Sequence, residues 1–148
     1  MEISQDFKEF LTLLNVHKVR YLIVGGYAYA IHAEPRYTKD LDIFYEASEN
    51  NAQRMLSCLK EFGFGSLDIK ADDLMMPGRI IQLGVPPLRI DLINEIEGVA
   101  FSEAWNGKIT AEYGGESINV IGKLDLIRNK KMTGREQDLL DAKRLEEE

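Results

Sequence analysis

Asp40 and Asp42 stand two apart in Asp40-Leu41-Asp42-Ile43-Phe44-Tyr45, and the pair Gly25-Gly26 begins fifteen residues upstream. Side chains alternate along a strand, so acids at this spacing share a face with Cα atoms about 6.6 Å apart. Two carboxylates held that way can share divalent cations. Leu41, Ile43, Phe44 and Tyr45 make the segment a core strand, where a carboxylate must be paired or bound to metal. The glycines end another apolar run, Tyr21-Leu22-Ile23-Val24. A Gly-Gly turn at a strand end lets backbone N–H groups approach a phosphate with no Cβ in the way. A helix starting there would aim its N-terminus at the same anion. Metal together with phosphate is the chemistry of nucleotide transfer.

A third acid, Asp91, lies in Leu88–Ile93, where Leu88, Ile90 and Leu92 share one face and Arg89, Asp91 and Ile93 the other. Beside the first two it would complete a two-metal site, which clamps the attacking and leaving oxygens of an in-line displacement. Its alternative partner is Arg89. The run Arg36-Tyr37-Thr38-Lys39 leads into the acids. Arg36 or Lys39 can balance the carboxylates, and Thr38 can hold the loop by hydrogen bonding. Lys123, Arg128, Lys130, Lys131 and Arg135 cluster in a chain of net charge -7. They read as a local positive site sized for a triphosphate, with Lys130 and Arg135 as its phosphate contacts. Asp138 shares the apolar stripe of the last helix with Ala142 and Leu145. A carboxylate there needs a cation, so it is expected to orient a basic residue, with Arg135 one turn away. His17, His32, Cys58 and Trp105 read as structural.

Positioning these residues requires an alternation of helices and strands. Phe7, Phe10, Leu11 and Leu14 recur at helical spacing behind a capping Ser4. Arg20–Val24 reads as a strand and Tyr27–Ala33 as a short helix, and Pro35 disfavours helix at Glu34. Leu41–Tyr45 is the second strand. Ser48 caps a helix carrying Ala52, Met55, Leu56 and Leu59, which Gly63 and Gly65 end. One helical turn is expected at Asp72–Met75. Strands follow at Arg79–Leu83 and Leu88–Ile93, separated by Gly84-Val85-Pro86-Pro87. Ser102–Trp105 is a short helix and Ser117–Ile121 a strand leaving the Gly114-Gly115 turn. Two helices close the chain at about 123–131 and 135–147, the last opened by a Thr133/Glu136 capping box. This is an α/β (α+β) pattern in a single domain over 1–148.

The 148 residues suffice for a real core, and 45% are hydrophobic, as in a globular chain. No apolar stretch approaches membrane-spanning length, and Met1-Glu2-Ile3-Ser4 lacks a basic region before an apolar one. A soluble, cytoplasmic protein is expected. One cysteine excludes an internal disulfide, and two distant histidines offer no Cys/His zinc site. Net negative charge argues against broad nucleic-acid affinity.

Gly25-Gly26-Tyr27-Ala28 followed by Arg36-Tyr37-Thr38-Lys39-Asp40-Leu41-Asp42-Ile43 resembles the signature of small bacterial nucleotidyltransferases of the DNA polymerase β superfamily. The closing Asn129-Lys130, Thr133-Gly134-Arg135, Asp138 and Asp141 resemble the same branch, which is related to abortive-infection toxin–antitoxin nucleotidyltransferases. The likeness covers nearly the whole chain. It implies a mixed sheet flanked by helices, two Mg2+ ions held by Asp40, Asp42 and Asp91, and transfer of a nucleotidyl group from an NTP such as ATP to an acceptor hydroxyl with release of pyrophosphate. Gly25, Gly26, Arg36, Thr38, Lys39, Lys130 and Arg135 are then the nucleotide-binding set. The acceptor can be a small molecule, a protein side chain or a tRNA end. A cognate toxin or antitoxin is a candidate partner. The competing readings are a non-catalytic antitoxin or partner-binding protein on the same fold, and a nucleotide sensor without turnover. Two positions depart from the pattern: His32-Ala33 replaces His-Gly, and Gln137 replaces the lysine usual before Asp138.

Overall fold

Ser4 accepts the Phe7 amide and opens α1 (Gln5–Val16), whose Phe7, Phe10, Leu11 and Leu14 are all buried. The computed structural model describes residues 3–64, 68–84 and 89–148. The expected helix end at Gly65, the Val85-Pro86-Pro87 connection and Leu88 lie outside them. β1 (Tyr21–Val24) is wholly buried and runs straight into α2 (Gly25–His32). β2 (Asp40–Tyr45) follows, then α3 (Glu49–Leu59), capped by Ser48 on the Asn51 amide. A π-turn over Lys60–Phe64 with Gly63 in a non-helical conformation terminates α3. The short α4 (Ala71–Met75), the antiparallel pair β3 (Ile80–Leu83) and β4 (Arg89–Ile93), and α5 (Phe101–Asn106) come next. β5 (Ile109–Tyr113) and β6 (Glu116–Val120) lead to α6 (Lys123–Thr133) and α7 (Glu136–Glu147).

The strands form one mixed six-stranded sheet in the order β3-β4-β2-β1-β6-β5. β2 runs antiparallel to β1 and parallel to β4. Alternation along β2 then sorts the two faces. Leu41, Ile43 and Tyr45 are fully buried on one, where the Tyr45 hydroxyl donates to the Leu74 carbonyl of α4 at 2.7 Å. Asp40, Asp42 and Phe44 point to the other, where Phe44 meets Phe101 of α5 edge-on at 5.2 Å. The acids therefore share their face with an aromatic cluster and lie at the opposite end of the strand from it. No helix among the described residues is long and apolar enough to cross a membrane.

Three sequence expectations differ from the fold. β5 is an added strand: Tyr113 alone among its residues is buried, so no apolar alternation announces it. It pairs with β6 through Gly114 and Gly115, both at positive φ, the turn that two-residue hairpins favour. α2 begins at Gly25 rather than Tyr27. The Thr133/Glu136 capping box does not form. Arg135 is the cap residue of α7 without a side-chain cap bond, and the Thr133 hydroxyl donates to Asp138 at 2.7 Å.

A candidate active site on the edge of β2 and β4

Parallel pairing of β2 with β4 sets Asp40 against Arg89 and Asp42 against Asp91. Neighbouring strands lie about 4.8 Å apart and i, i+2 positions about 6.6 Å apart. Three acids and one arginine thus form a square of charge. Arg89 Nε donates to Asp91 Oδ1 at 2.9 Å, and Nη2 donates to Asp40 Oδ2 at 3.0 Å and Asp91 Oδ2 at 3.3 Å. The cation that balances the acids is Arg89, rather than Arg36 or Lys39. Among the described residues Asp42 forms no ion pair, and Arg89 is the cation whose charge reaches it. Burial, then the charges of Asp91 and Asp40, push its pKa up from 3.8 to about 7, and a hydrogen bond with Asp91 adds to the rise.

The glycine pair closes over this square. Gly25 takes φ +68°, and a Cβ there would collide with the Asp42 carboxylate. A Cβ on Gly26 would stand 2.9 Å from Thr38 Oγ1. Two constraints therefore fix glycine at the head of α2: left-handed backbone at Gly25, and the close approach of Asp42 and Thr38. Val24 gives α2 no side-chain cap, and the first amides of a helix have no partner within it. Thr38 Oγ1 reaches the Asp40 carbonyl at 3.4 Å, which ties the loop to the start of β2.

Arg36 and Lys130 turn inward. Arg36 forms a two-pronged pair with Asp141 of α7, at 2.9 and 2.7 Å, and its guanidinium lies 3.9 Å above the Tyr29 ring. Lys130 is only 7% exposed at its side chain and donates to Asp141 at 3.1 Å and Asp138 at 3.3 Å. Asp141 is 1% exposed. Burial opposes its ionisation, but hydrogen bonds from Arg36, Gln137 and Lys130 outweigh that and hold its carboxyl well below the usual range. Arg135 stays outside, 74% exposed, with Nε on Asp138 Oδ2 at 2.9 Å. Asp138 does orient basic residues, two of them. A continuous series of charge contacts runs from Arg135 through Asp138, Lys130 and Asp141 to Arg36, four residues before Asp40.

The basic cluster of α6 is largely neutralised. Arg128 faces Glu103 and Asp125, Lys131 faces Glu146, and Lys123 donates to the Glu148 carbonyl. Lys39 is exposed and has no charged partner among the described residues. Sequence reasoning missed the link from Arg89 to Asp40 and the central place of Asp141. The first was detectable as Arg89-Ile90-Asp91 opposite Asp40-Leu41-Asp42 once the two strands were set side by side.

The donor set of Asp40, Asp42 and Asp91 is all oxygen, which suits a hard cation such as magnesium. Among the described residues no three ligating side chains converge as they lie. The Arg89 guanidinium stands between Asp40 and Asp91.

No family model matches the chain, and no curated protein matches it in sequence. Solved structures do match. The lincosamide antibiotic adenylyltransferase LnuA, crystallised with lincomycin, aligns with a TM-score of 0.63 at 18% identity, over 99% of this chain and 98% of that one. A protein from Thermotoga maritima assigned to the nucleotidyltransferases aligns with a TM-score of 0.66 at 17% identity, over 99% and 97%. The antibiotic-resistance factor ANT(2'')-Ia gives 0.61 at 12% identity, over 95% and 80%. At these identities the likeness is one of fold, and the fold is that of nucleotidyltransferases.

Proposed function

We propose that the protein is a magnesium-dependent nucleotidyltransferase that moves a nucleoside monophosphate from an NTP to an acceptor hydroxyl. The observation that carries this reading is the in-register placement of Asp42 and Asp91 on parallel strands, with Asp40 on the same face and the Gly25 turn closed on Asp42. Carboxylates brought together on one face of a core strand keep their charge when a divalent ion neutralises them. Bound there, magnesium would neutralise the triphosphate and align attacking and leaving oxygens.

The chain's own groups fill the remaining roles. The acceptor oxygen forms a new bond to the α-phosphorus. The bond from that phosphorus to the oxygen bridging the α- and β-phosphates breaks, and its electron pair leaves with pyrophosphate. Asp91 takes the acceptor proton. The first amides of α2 at Gly25 and Gly26, with Lys39 and Arg135 from the exposed side, hold the triphosphate. Arg36 and Lys130 serve the nucleotide from beneath, by fixing the Arg36–Lys39 loop and the α6–α7 joint against Asp141. Thr38 secures the same loop from the α2 side.

A small-molecule hydroxyl is the acceptor class we favour, as in the lincosamide adenylyltransferase whose fold this chain shares. A tRNA end is disfavoured by the net charge of -7, because polyanion binding draws on a basic face. A cognate toxin or antitoxin is supported by sequence resemblance alone. Calorimetry with ATP, GTP, CTP and UTP, each with magnesium and with EDTA, tests the reading. Binding of at least one NTP with magnesium only is expected, followed by pyrophosphate release with a panel of hydroxylated antibiotics. Equal binding in EDTA would overturn the metal-site assignment.

A further inference from the structure

Arg89 lies inside the square of acids, where a guanidinium and a divalent ion would compete for the same oxygens. We propose that Arg89 is a displaceable internal cation: it occupies Asp40 and Asp91, thereby sets how tightly a divalent ion binds, and transfers to a phosphate of the bound nucleotide once those carboxylates are taken. The inference rests on the metal-dependent reading above.

Three features of Arg89 support it. First, its fork spans two strands. Nε and Nη2 reach Asp91 along β4, and Nη2 also reaches Asp40 on β2. A guanidinium is always charged and presents planar paired donors that fit carboxylate and phosphate alike. Second, the bridge to Asp40 sits at the solvent rim, with Arg89 29% and Asp40 41% exposed, while Asp91, 13% exposed, is the carboxylate that a divalent ion must take over when Arg89 leaves. Third, the backbone is anchored. The Arg89 amide donates to the Lys39 carbonyl at 3.5 Å and the residue is registered opposite Asp40. Only the side chain can pivot. Its charge therefore remains within one side-chain length of the site whichever oxygens it abandons, and the triphosphate is the anion expected there. Metal and nucleotide should then bind cooperatively, because each removes a reason for Arg89 to stay on the acids.

The test measures Mn2+ binding to the full chain by paramagnetic resonance, without nucleotide, for wild type, Arg89→Gln, Arg89→Lys and Asp42→Asn. Binding of a non-hydrolysable ATP analogue is then titrated at saturating Mn2+. Arg89→Gln should bind Mn2+ about tenfold more tightly than wild type and the analogue about tenfold more weakly, the loss of one charge-assisted contact in each case. Arg89→Lys keeps a charge without the fork and should move both affinities the same way by less. It stands in for Arg89→Gln if circular dichroism shows that variant unfolded. A folded Arg89 variant with Mn2+ affinity equal to or weaker than wild type overturns the role of Arg89, provided Asp42→Asn has lost Mn2+. If Asp42→Asn binds Mn2+ as wild type does, the metal-site reading falls and the Arg89 proposal with it.

Discussion

Asp42 is pressed from two sides, by the Gly25 turn against its carboxylate and by Asp91 facing it from β4. Burial and these like charges raise its pKa from 3.8 to about 7. The folded protein therefore keeps a proton that the unfolded chain has already released between those two values. The contribution of Asp42 to stability therefore falls as pH rises from about 4 to about 7, then levels off. Asp42→Asn never carries the charge. With divalent ions chelated, the variant should match wild type near the acid end of that window and exceed it by roughly 2–4 kcal/mol at pH 8. Urea melts at the two pH values check this. Equal stability at pH 8 would remove the like-charge conflict from the site. The variant should also release no pyrophosphate, because a lost metal ligand removes several kcal/mol of charge stabilisation. Gain in stability with loss of transfer separates a functional acid from a structural one.

At the scale of elements, α6 and α7 are fastened to the loop before β2 through Asp141. Removing that carboxylate leaves Lys130 buried beside Asp138 alone and Arg36 with no carboxylate, so Asp141→Asn should cost about 3 kcal/mol and lower the melting temperature. Because the Asp141 pKa is depressed in the fold, its contribution is present at neutral pH and is lost as pH falls below the ordinary carboxylate value. The gap between variant and wild type should therefore narrow in strong acid. Arg135→Ala makes the opposite split. It is exposed and ends the series of charge contacts, so nucleotide affinity should drop by about ten- to a hundredfold with the melting temperature nearly unchanged. Unchanged affinity would take Arg135 out of the site. These contrasts show where the sequence was legible. The acids, the glycines and the buried strands β1, β2 and β4 follow local rules, alternation and backbone permission, and were readable in short windows. The partners of Arg36, Lys130 and Arg89 depend on packing between segments 49 to 105 residues apart in two of the three cases, and Lys130 depends on how the α6–α7 hairpin closes. Basic composition said that cations were present there, but not that carboxylates already held them. β5 escaped notice because an exposed edge strand needs no apolar face.

Over the whole molecule, the pairing of those cations changes what an approaching nucleotide meets. A cluster of five basic residues would be a positive funnel if free. In the fold Arg128, Lys130, Lys131 and Arg135 each face a carboxylate, and the molecule's net charge of -7 is left uncompensated at long range. Binding groups act within contact distance, whereas encounter is governed by the summed field. Magnesium-bound ATP is itself an anion, so the two should repel at separations up to about a Debye length, roughly 8 Å at physiological salt and about 30 Å at 0.01 M. Added salt screens that repulsion. The association rate for magnesium-bound ATP should therefore rise by roughly two- to fivefold from low to physiological ionic strength. The dissociation rate should rise as well, since salt also weakens the short contacts to Lys39 and Arg135. Stopped-flow binding of a fluorescent ATP analogue across a potassium chloride series, at fixed free magnesium, resolves the two rates. An association rate that falls with salt would mean that a local positive field steers the nucleotide, and that the carboxylate pairing of α6 and α7 opens in solution.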